Sequence, residues 1–193
     1  MAKDFLQFAS EYFARLADVL GAIDQHQVDR FVDQLLEARE RGSTIFFIGN
    51  GGSAATSAHF ANDLSVGTKQ LTKPFKVMSL VDNVATLTAI GNDYGYDKVF
   101  SRQVSVYGEK GDLLVGISAS GNSPNLLDAF KVGKEKGMIT IAITAFDGGR
   151  LKEMSDCSLH VPTNKGEYGP AEDAHMVLDH LITNYLQSAL GQG

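Results

Sequence analysis

The chain has 193 residues, of which 44% are hydrophobic and 21% charged, with a formal net charge of −6. This composition excludes a disordered chain and a collagen-like repeat, and the single cysteine, Cys157, excludes a disulfide scaffold. An acidic chain without a basic run is not expected to bind nucleic acid or an anionic membrane through its overall field. We expect one domain over residues 1–193, and, with no signal peptide or membrane-spanning apolar run, a cytoplasmic location.

Residues 1–42 are predicted to form a helical N-terminal arm. Apolar residues recur there at three- and four-residue spacing over two stretches, which is typical of two amphipathic helices. Asp24, with Gln27 three residues later, predicts a capping box for the second helix, and Gly42 predicts its end. The many aromatic residues of the arm fit packing against its own domain or against another subunit.

Residues 43–193 are predicted to form an α/β core that ends in a long helix. Short apolar or β-branched runs alternate there with helical patterns, which predicts a parallel sheet with helices on both faces and right-handed crossovers. The predicted strands are Thr44–Ile48, Phe75–Leu80, Leu113–Ile117, Ile139–Thr144 and Ser158–Val161. The predicted helices are Ala54–Val66, Val84–Ile90, Val99–Tyr107, Pro124–Lys136, Arg150–Met154 and Ala171–Leu190.

Two of the predicted strands end in loops of small residues that each open a helix. The loops are Gly49-Asn50-Gly51-Gly52-Ser53 and Ser118-Ala119-Ser120-Gly121-Asn122-Ser123. Helix N-termini offer unpaired N–H groups to an anion, glycines permit close approach of the backbone, and serines add donors. Neither loop has Walker A or dinucleotide-fingerprint spacing. Each alone fits a tight turn with a serine cap, but two on one sheet predict a phosphate cradle without lysine.

Histidines and carboxylates on two predicted helices form a second candidate group. His59 and Asp63 lie four residues apart after the first loop and therefore share a helix face. The last helix carries Glu172 and His180, and His175, five residues before His180, lies off the face of His180 and is expected to have a structural role. A lone histidine is more often a packing or capping group, but His-x-x-x-carboxylate spacing also suits two metal ligands. On a straight helix, Glu172 and His180 would be about 12 Å apart along the axis, so one ion could take both only with a long reach, an irregular first turn or ligands from two chains.

Five stretches together resemble the SIS (sugar isomerase) domain and, within it, the phosphoheptose isomerases. They are FFIGNGGSAATSAHFANDL, TAIGNDYGYDKVFSRQV, GISASGNSPN, ITAFDGG and EDAHMVLDHLI. The resemblance covers essentially the whole chain. It implies a flavodoxin-like five-stranded parallel sheet, a homotetramer with sites near subunit interfaces, and zinc in some members. It also implies interconversion of sedoheptulose 7-phosphate and D-glycero-D-manno-heptose 7-phosphate, the first step toward activated heptose for bacterial surface glycans.

The resemblance also assigns roles to individual residues. Asp63 takes the place of the family's catalytic glutamate and His180 that of its catalytic histidine. The positions that bind zinc in metal-containing members are matched by His59, Asp63, Glu172 and His180. The substrate- and phosphate-binding positions are matched by Asn50, Gly51, Gly52, Ser53, Asn83, Ser118, Ala119, Ser120, Ser123 and Glu172. Asp63 is one methylene shorter than the usual glutamate, and Glu172 replaces a common glutamine, so the base could shift to another carboxylate or the metal site could be strengthened.

The reaction that the resemblance implies is aldose–ketose isomerisation through a cis-enediol. It needs a base, an acid and a group that polarises the carbonyl, and these residue types can supply them. The alternative is a non-catalytic SIS module, either a sugar-phosphate sensor or a relative of the replication initiator-associating protein. The shorter side chain of Asp63 favours this alternative. The joint presence of His59, Asp63 and His180 favours the enzyme. Isomerases of arabinose 5-phosphate or hexose phosphates usually carry extra domains, for which this chain has no room.

Overall fold

The fold is a five-stranded parallel sheet in the order β2-β1-β3-β4-β5. A computed structural model describes residues 4–69 and 72–191. The strands are β1 (Thr44–Gly49), β2 (Lys76–Ser79), β3 (Leu113–Ser118), β4 (Ile139–Thr144) and β5 (Cys157–His160). This strand order is that of flavodoxin-like folds, and the predicted fold class is confirmed.

Eight α-helices connect and flank the strands in the described part of the chain. They are α1 (Phe5–Gly21), α2 (Gln25–Arg41), α3 (Gly52–Asn62), α4 (Val84–Tyr94), α5 (Ser101–Tyr107), α6 (Pro124–Glu135), α7 (Gly149–Met154) and α8 (Tyr168–Leu190). A π-helical turn over Asp63–Gly67 continues α3, and a 3₁₀ turn over Tyr96–Lys98 precedes α5. Among residues 4–69 and 72–191, no helix combines the length and apolarity that crossing a membrane requires.

The sheet separates two apolar cores. In β1, Ile45 and Phe47 pack with α1, α2, α3 and α8 on one face, whereas Phe46 and Ile48 pack with α5, α6 and α7 on the other. The alternation follows from the two-residue period of a strand, and burial on both faces explains why β1 is an unbroken apolar run. Because the strands are parallel, their carboxyl ends share one edge, where the two glycine- and serine-rich loops emerge.

The N-terminal arm is only partly capped as the sequence predicts. The Asp24 carboxylate accepts a hydrogen bond from the His26 N–H (3.0 Å), and Gly42 ends α2 in the left-handed conformation (φ +69°). The predicted capping box is wrong in its second half. The Gln27 side chain accepts a hydrogen bond from the His160 N–H (2.8 Å), because β5 is an edge strand with an N–H to satisfy.

Several helix boundaries also differ from prediction. Helix α8 begins at Tyr168 instead of Ala171, because a proline in the first turn of a helix removes no intrahelical hydrogen bond. Helix α4 extends to Tyr94, four residues past its predicted end. The helix predicted over Ala54–Val66 changes to the π turn at Asp63, a local irregularity without a signature in the periodicity.

Candidate active site

The two loops lie side by side because β1 and β3 are neighbours in the sheet, with Gly49 paired to Ile117. A cavity of about 150 Å³ opens between them and the first turn of α8. Its lining residues are Asn50, Ser53, Ile117, Ser118, Ala119, Ser120, Ser123, Tyr168 and Glu172. The structure therefore brings together most of the predicted phosphate-binding residues. We call this cavity the cradle.

The cradle depends on glycine at two positions. Gly121 has φ +61° and a Cβ there would overlap the carbonyl oxygen of Gly148, so the loop closes tightly on the turn after β4. A Cβ on Gly52 would overlap the carboxylate of Glu172, so this carboxylate can lie against the start of α3 in its present position only because residue 52 has no side chain.

Hydrogen bonds fix the backbone of the second loop. The Ser118 hydroxyl accepts from the Gly121 N–H (3.1 Å), and the Asn122 amide donates to the Ser120 carbonyl (2.8 Å). The N-cap residues of α3 and α6 make no side-chain hydrogen bond to these helices, although in the first turn of α6 the Leu126 N–H donates to the Asn125 side-chain oxygen (3.1 Å). The first N–H groups of a helix have no partner within the helix. These groups supply the positive ends that an anion needs.

Asn50 lines the cavity and also joins the first loop to the start of α6, directly after the second loop. Its side-chain amide exchanges two hydrogen bonds with the buried Asn125, each 2.9 Å long, and its oxygen also accepts from the Tyr96 hydroxyl (2.9 Å). The predicted binding residue Asn50 therefore holds the loops in register.

His59, Asp63 and His180 form the second part of the site. The Nε2 atom of His59 lies 3.5 Å from Oδ2 of Asp63, and the His59 and His180 rings meet edge to face with centroids 5.0 Å apart. One ligand atom from each of the three lies within 4.8 Å of the others. The π turn places Asp63, whose Oδ1 accepts from the Asn62 amide (2.9 Å). Single π-helical turns within α-helices are frequent at functional sites.

The donor set of this group fits a zinc ion. Two imidazole nitrogens and one carboxylate oxygen are a common ligand set of catalytic zinc sites, in which further positions remain open to substrate. The His59 and Asp63 side chains are half-buried, and His180 is exposed, so a ligand can reach the group from solvent. Three of the four predicted metal-binding residues are thus close enough to share one ion.

Glu172 is not part of this group. Its carboxylate lies against Gly52 and lines the cradle at the start of α8, while His180 lies farther along the same regular helix. The separation that a straight helix imposes on residues 172 and 180 is therefore present in the structure.

Asn83 is the one predicted binding residue that lies at a distinct cavity. Its side chain caps α4 by accepting from the Thr86 N–H (3.0 Å). It lines a polar cavity of about 550 Å³ beside β2, together with residues of α3 and α5. Within a single chain, the structure does not bring Asn83 to the cradle.

Two buried polar residues of α8 were not predicted as part of the site. His175 and Asp179 are fully buried on one face, and His175 Nδ1 and Asp179 Oδ2 have no hydrogen-bond partner among the described residues. Burial lowers the pKa of His175 to about 4. Burial, together with the charge of Asp63, raises the pKa of Asp179 to about 7. The only sequence signal for Asp179 is a carboxylate on the apolar face of an amphipathic helix.

Comparison with known proteins gives a consistent result. Residues 11–145 match the family model described as the SIS domain. The chain is 39% identical over 186 residues to the phosphoheptose isomerase of Rhodospirillum rubrum, a match that covers 96% of this chain and 95% of the relative. It is 38% identical over 182 residues to that of Aliarcobacter butzleri, covering 93% and 95%.

Solved structures show the same similarity. The structure of phosphoheptose isomerase GmhA from Neisseria gonorrhoeae superimposes with a TM-score of 0.86 and 32% sequence identity. The match covers 96% of this chain and 100% of that one.

Proposed function

The chain belongs to the SIS-domain family and, within it, to the phosphoheptose isomerases, and we propose on that basis how it interconverts sedoheptulose 7-phosphate and D-glycero-D-manno-heptose 7-phosphate. The enzyme is an aldose–ketose isomerase. A non-catalytic SIS module is not favoured, because the similar curated proteins are named phosphoheptose isomerases and the His59, Asp63 and His180 side chains converge.

The relative placement of the cradle and the histidine group is the observation that supports this substrate. Helices α3 and α8 run side by side, touching at Gly52 and Glu172 near their starts and at His59 and His180 farther along. From Ser53 to His59 the distance along α3 is about 9 Å at 1.5 Å per residue. A heptose 7-phosphate in its open-chain form has its phosphate at one end and its reacting carbons at the other. The site has the same arrangement.

The phosphate is bound in the cradle by neutral groups. The hydroxyls of Ser53, Ser118, Ser120 and Ser123 donate hydrogen bonds, as do backbone N–H groups at the starts of α3 and α6. Gly51, Gly52 and Ala119 leave room for the phosphate. Glu172, at the cradle wall, accepts hydrogen bonds from sugar hydroxyls between the phosphate and the reacting carbons.

Proton transfer takes place at the other end of the site. Asp63 removes the proton from C1 of the ketose to give the cis-enediol and returns it to C2, which yields the aldose. His180 moves the accompanying proton from the O1 side to the O2 side, so that no net proton is gained or lost. Its ring, edge-on to that of His59, lies close enough to the Asp63 carboxylate for both to act on adjacent atoms.

We assign zinc as the cofactor of this site. His59, Asp63 and His180 would each hold the ion through one atom, which would leave the second carboxylate oxygen of Asp63 and the second ring nitrogen of His180 for proton transfer. When bound, the ion would polarise the carbonyl oxygen as a Lewis acid. The two histidines and the carboxylate are the residue types that zinc prefers. Glu172, which the resemblance places among the ligands, acts in this proposal at the phosphate end of the site.

We propose that the enzyme is a homotetramer with sites near subunit interfaces. Phe5, Phe8 and Phe13 of α1 are exposed, which is costly for a free helix surface. An apolar groove of about 440 Å³ also runs between the arm and α8. Leu181, the residue after the exposed His180, is one of its lining residues. A cytoplasmic location fits the free cysteine and the phosphorylated substrate.

An isomerase assay in deuterated water tests the function. Purified protein with sedoheptulose 7-phosphate should give an aldoheptose 7-phosphate that carries deuterium at C2, because the base exchanges its proton with solvent during the cis-enediol step. Arabinose 5-phosphate and fructose 6-phosphate serve as competing substrates. Faster turnover of either one, or no turnover of the heptose, would contradict the assignment.

A further inference from the structure

The cradle contains one side chain that neither the sequence pattern nor the proposed chemistry explains. Tyr168, the first residue of α8, lines the cavity beside Ser120, Ser123 and Glu172. About half of the residue is exposed (53%), and its hydroxyl has no hydrogen-bond partner among the described residues. A tyrosine that opens a helix over an anion-binding loop brings a free O–H donor and an apolar ring to the same place.

The ring of Tyr168 packs against Phe146, a residue with a strained backbone conformation. It meets the ring of Phe146 edge to face, with centroids 5.0 Å apart and planes at 84°. Phe146 lies two residues after the end of β4. With φ +56°, it is one of only two non-glycine residues in the described ranges 4–69 and 72–191 that have positive φ. An aromatic residue in this conformation costs on the order of 1 kcal/mol, and such strain is concentrated at functional sites. Here the strained backbone places a ring under Tyr168.

The turn that carries Tyr168 is also held from outside, by helix α1. Arg15 donates two hydrogen bonds to the carboxylate of Glu167, 3.1 and 2.7 Å long. Tyr12 donates to the Asp173 carboxylate (2.5 Å), and its hydroxyl lies against Gly169. The residues on both sides of Tyr168 are thus fixed by the N-terminal arm, so the ring is a preorganised wall of the cavity.

The residues that line the cradle offer a phosphate no cationic side chain, which gives the Tyr168 hydroxyl a role as a donor. The residues that line the cavity include no lysine or arginine, and the one charged group, Glu172, is an acid. A phosphate dianion bound there depends entirely on neutral donors, each worth more toward a charged acceptor than toward a neutral one. We propose that Tyr168 is a substrate-binding residue, whose hydroxyl donates a hydrogen bond to the phosphate end of the sugar phosphate and whose ring packs on the adjoining carbons. Phe146 is its positioning residue. The inference rests on the proposed function, since it concerns the same substrate.

The test compares Tyr168→Phe with Tyr94→Phe, which makes the same change at a tyrosine of equal exposure (54%) on α4. Steady-state kinetics with sedoheptulose 7-phosphate should give a KM at least tenfold higher for Tyr168→Phe, with kcat within about twofold, because the lost bond is made to the phosphate and not to the reacting carbons. Tyr94→Phe should behave as the wild type. An unchanged KM in Tyr168→Phe, or a fall in kcat alone, would overturn the proposal.

Two further measurements separate this inference from the function itself. Calorimetric titration with sedoheptulose 7-phosphate measures binding without turnover. A wild type that binds the sugar phosphate but does not isomerise it would refute the proposed function. The role of Tyr168 would then be decided by comparing the Kd of the wild type with that of Tyr168→Phe. Phe146→Leu should raise KM in the same way, whereas Phe146→Tyr, which keeps an aromatic ring, should leave KM as in the wild type. If the role of Phe146 were purely structural, Phe146→Leu would lower the melting temperature and leave KM unchanged.

Discussion

The imidazole ring of His180 lies edge-on to that of His59, with the ring planes at 76° and the centroids 5.0 Å apart. The contact joins the carboxyl half of α3 to the middle of α8, two helices that are distant in the sequence. It completes the group with Asp63 and leaves His180 exposed on the surface of the monomer. The side chain can therefore be changed without opening the core.

Replacing His180 by alanine should abolish turnover and leave the fold intact. Loss of a positioned acid–base group costs about 10²- to 10⁴-fold in kcat, and the exposed ring contributes little to packing. Activity is measured with sedoheptulose 7-phosphate and folding by thermal melting. His26→Ala changes an exposed histidine on α2 and serves as the control. Full activity in His180→Ala would contradict its role as the acid–base partner.

Zinc should stabilise the metal-free protein through the same three residues. An ion present at one hundred times its Kd adds about 2.7 kcal/mol to the free energy of unfolding, which is a rise of several degrees in melting temperature for a chain of this size. His59→Ala should lose this rise, because it removes one of three ligands. Glu172→Gln should retain it, since Glu172 lies in the cradle. Loss of the rise in Glu172→Gln alone would place the ion elsewhere.

The sequence predicts the sheet well because the signal is local. Each buried strand is a short apolar run, and the strand-end loops carry glycine and serine where a turn needs them, as Gly121 does. Relationships between distant elements have no such signal. That Gln27 binds the edge strand, that Asn83 caps α4 beside a separate cavity, and that Tyr168 rests on Phe146 all depend on packing that periodicity does not encode.

The site itself was predictable to a similar extent. The four-residue spacing of His59 and Asp63 places them on one face, as the helical period requires. The rise of a helix separates Glu172 from His180, and the structure keeps this separation because α8 is regular from its first turn. The π turn at Asp63 was not predictable, because one extra residue in a helical turn leaves the apolar pattern almost unchanged.

Gly121→Ala should destabilise the protein and weaken substrate binding more than Gly166→Ala does. Both residues have positive φ, so an alanine at either position is strained by its backbone conformation. A Cβ on Gly166 meets nothing within 4 Å, whereas one on Gly121 would overlap the Gly148 carbonyl. Urea denaturation should therefore give a clearly larger loss for Gly121→Ala. Equal losses in the two variants would show that the loop relaxes around the added methyl group.

Leu181→Glu should break the proposed homotetramer into smaller species. Leu181 is 55% exposed and lines the apolar groove between the arm and α8, so a carboxylate there would have to be desolvated in an interface. Sedimentation velocity measures the change, and kcat should fall with it if a neighbouring subunit completes the site beside His180. The control Lys110→Glu alters an exposed loop residue outside the groove. A variant that sediments as the wild type does would exclude this groove as the contact.

Two buried groups on α8 make the stability of the metal-free protein depend on pH in opposite directions. The native pKa of Asp179, about 7, lies above its unfolded value of 3.8, so between these values only the native state keeps the proton and stability falls as pH rises. The native pKa of His175, about 4, lies below its unfolded value of 6.5, so in that window only the unfolded state is protonated and stability rises with pH. From about pH 4 to 6.5 the two slopes oppose each other.

Asp179→Asn removes the pH dependence of stability that comes from the Asp179 carboxyl group and leaves the one that comes from His175. The free energy of unfolding of the variant, relative to the wild type, should rise by about 1.4 kcal/mol per pH unit between pH 4 and 7 and level off above, a total of roughly 3–4 kcal/mol. Urea denaturation with a chelator present measures this difference. Thr183→Val is the control, because it removes the hydrogen bond that Asp179 accepts (3.4 Å) but keeps the carboxyl group. A difference for Asp179→Asn that stays constant from pH 4 to 8 would mean that the buried carboxyl titrates at its ordinary pKa.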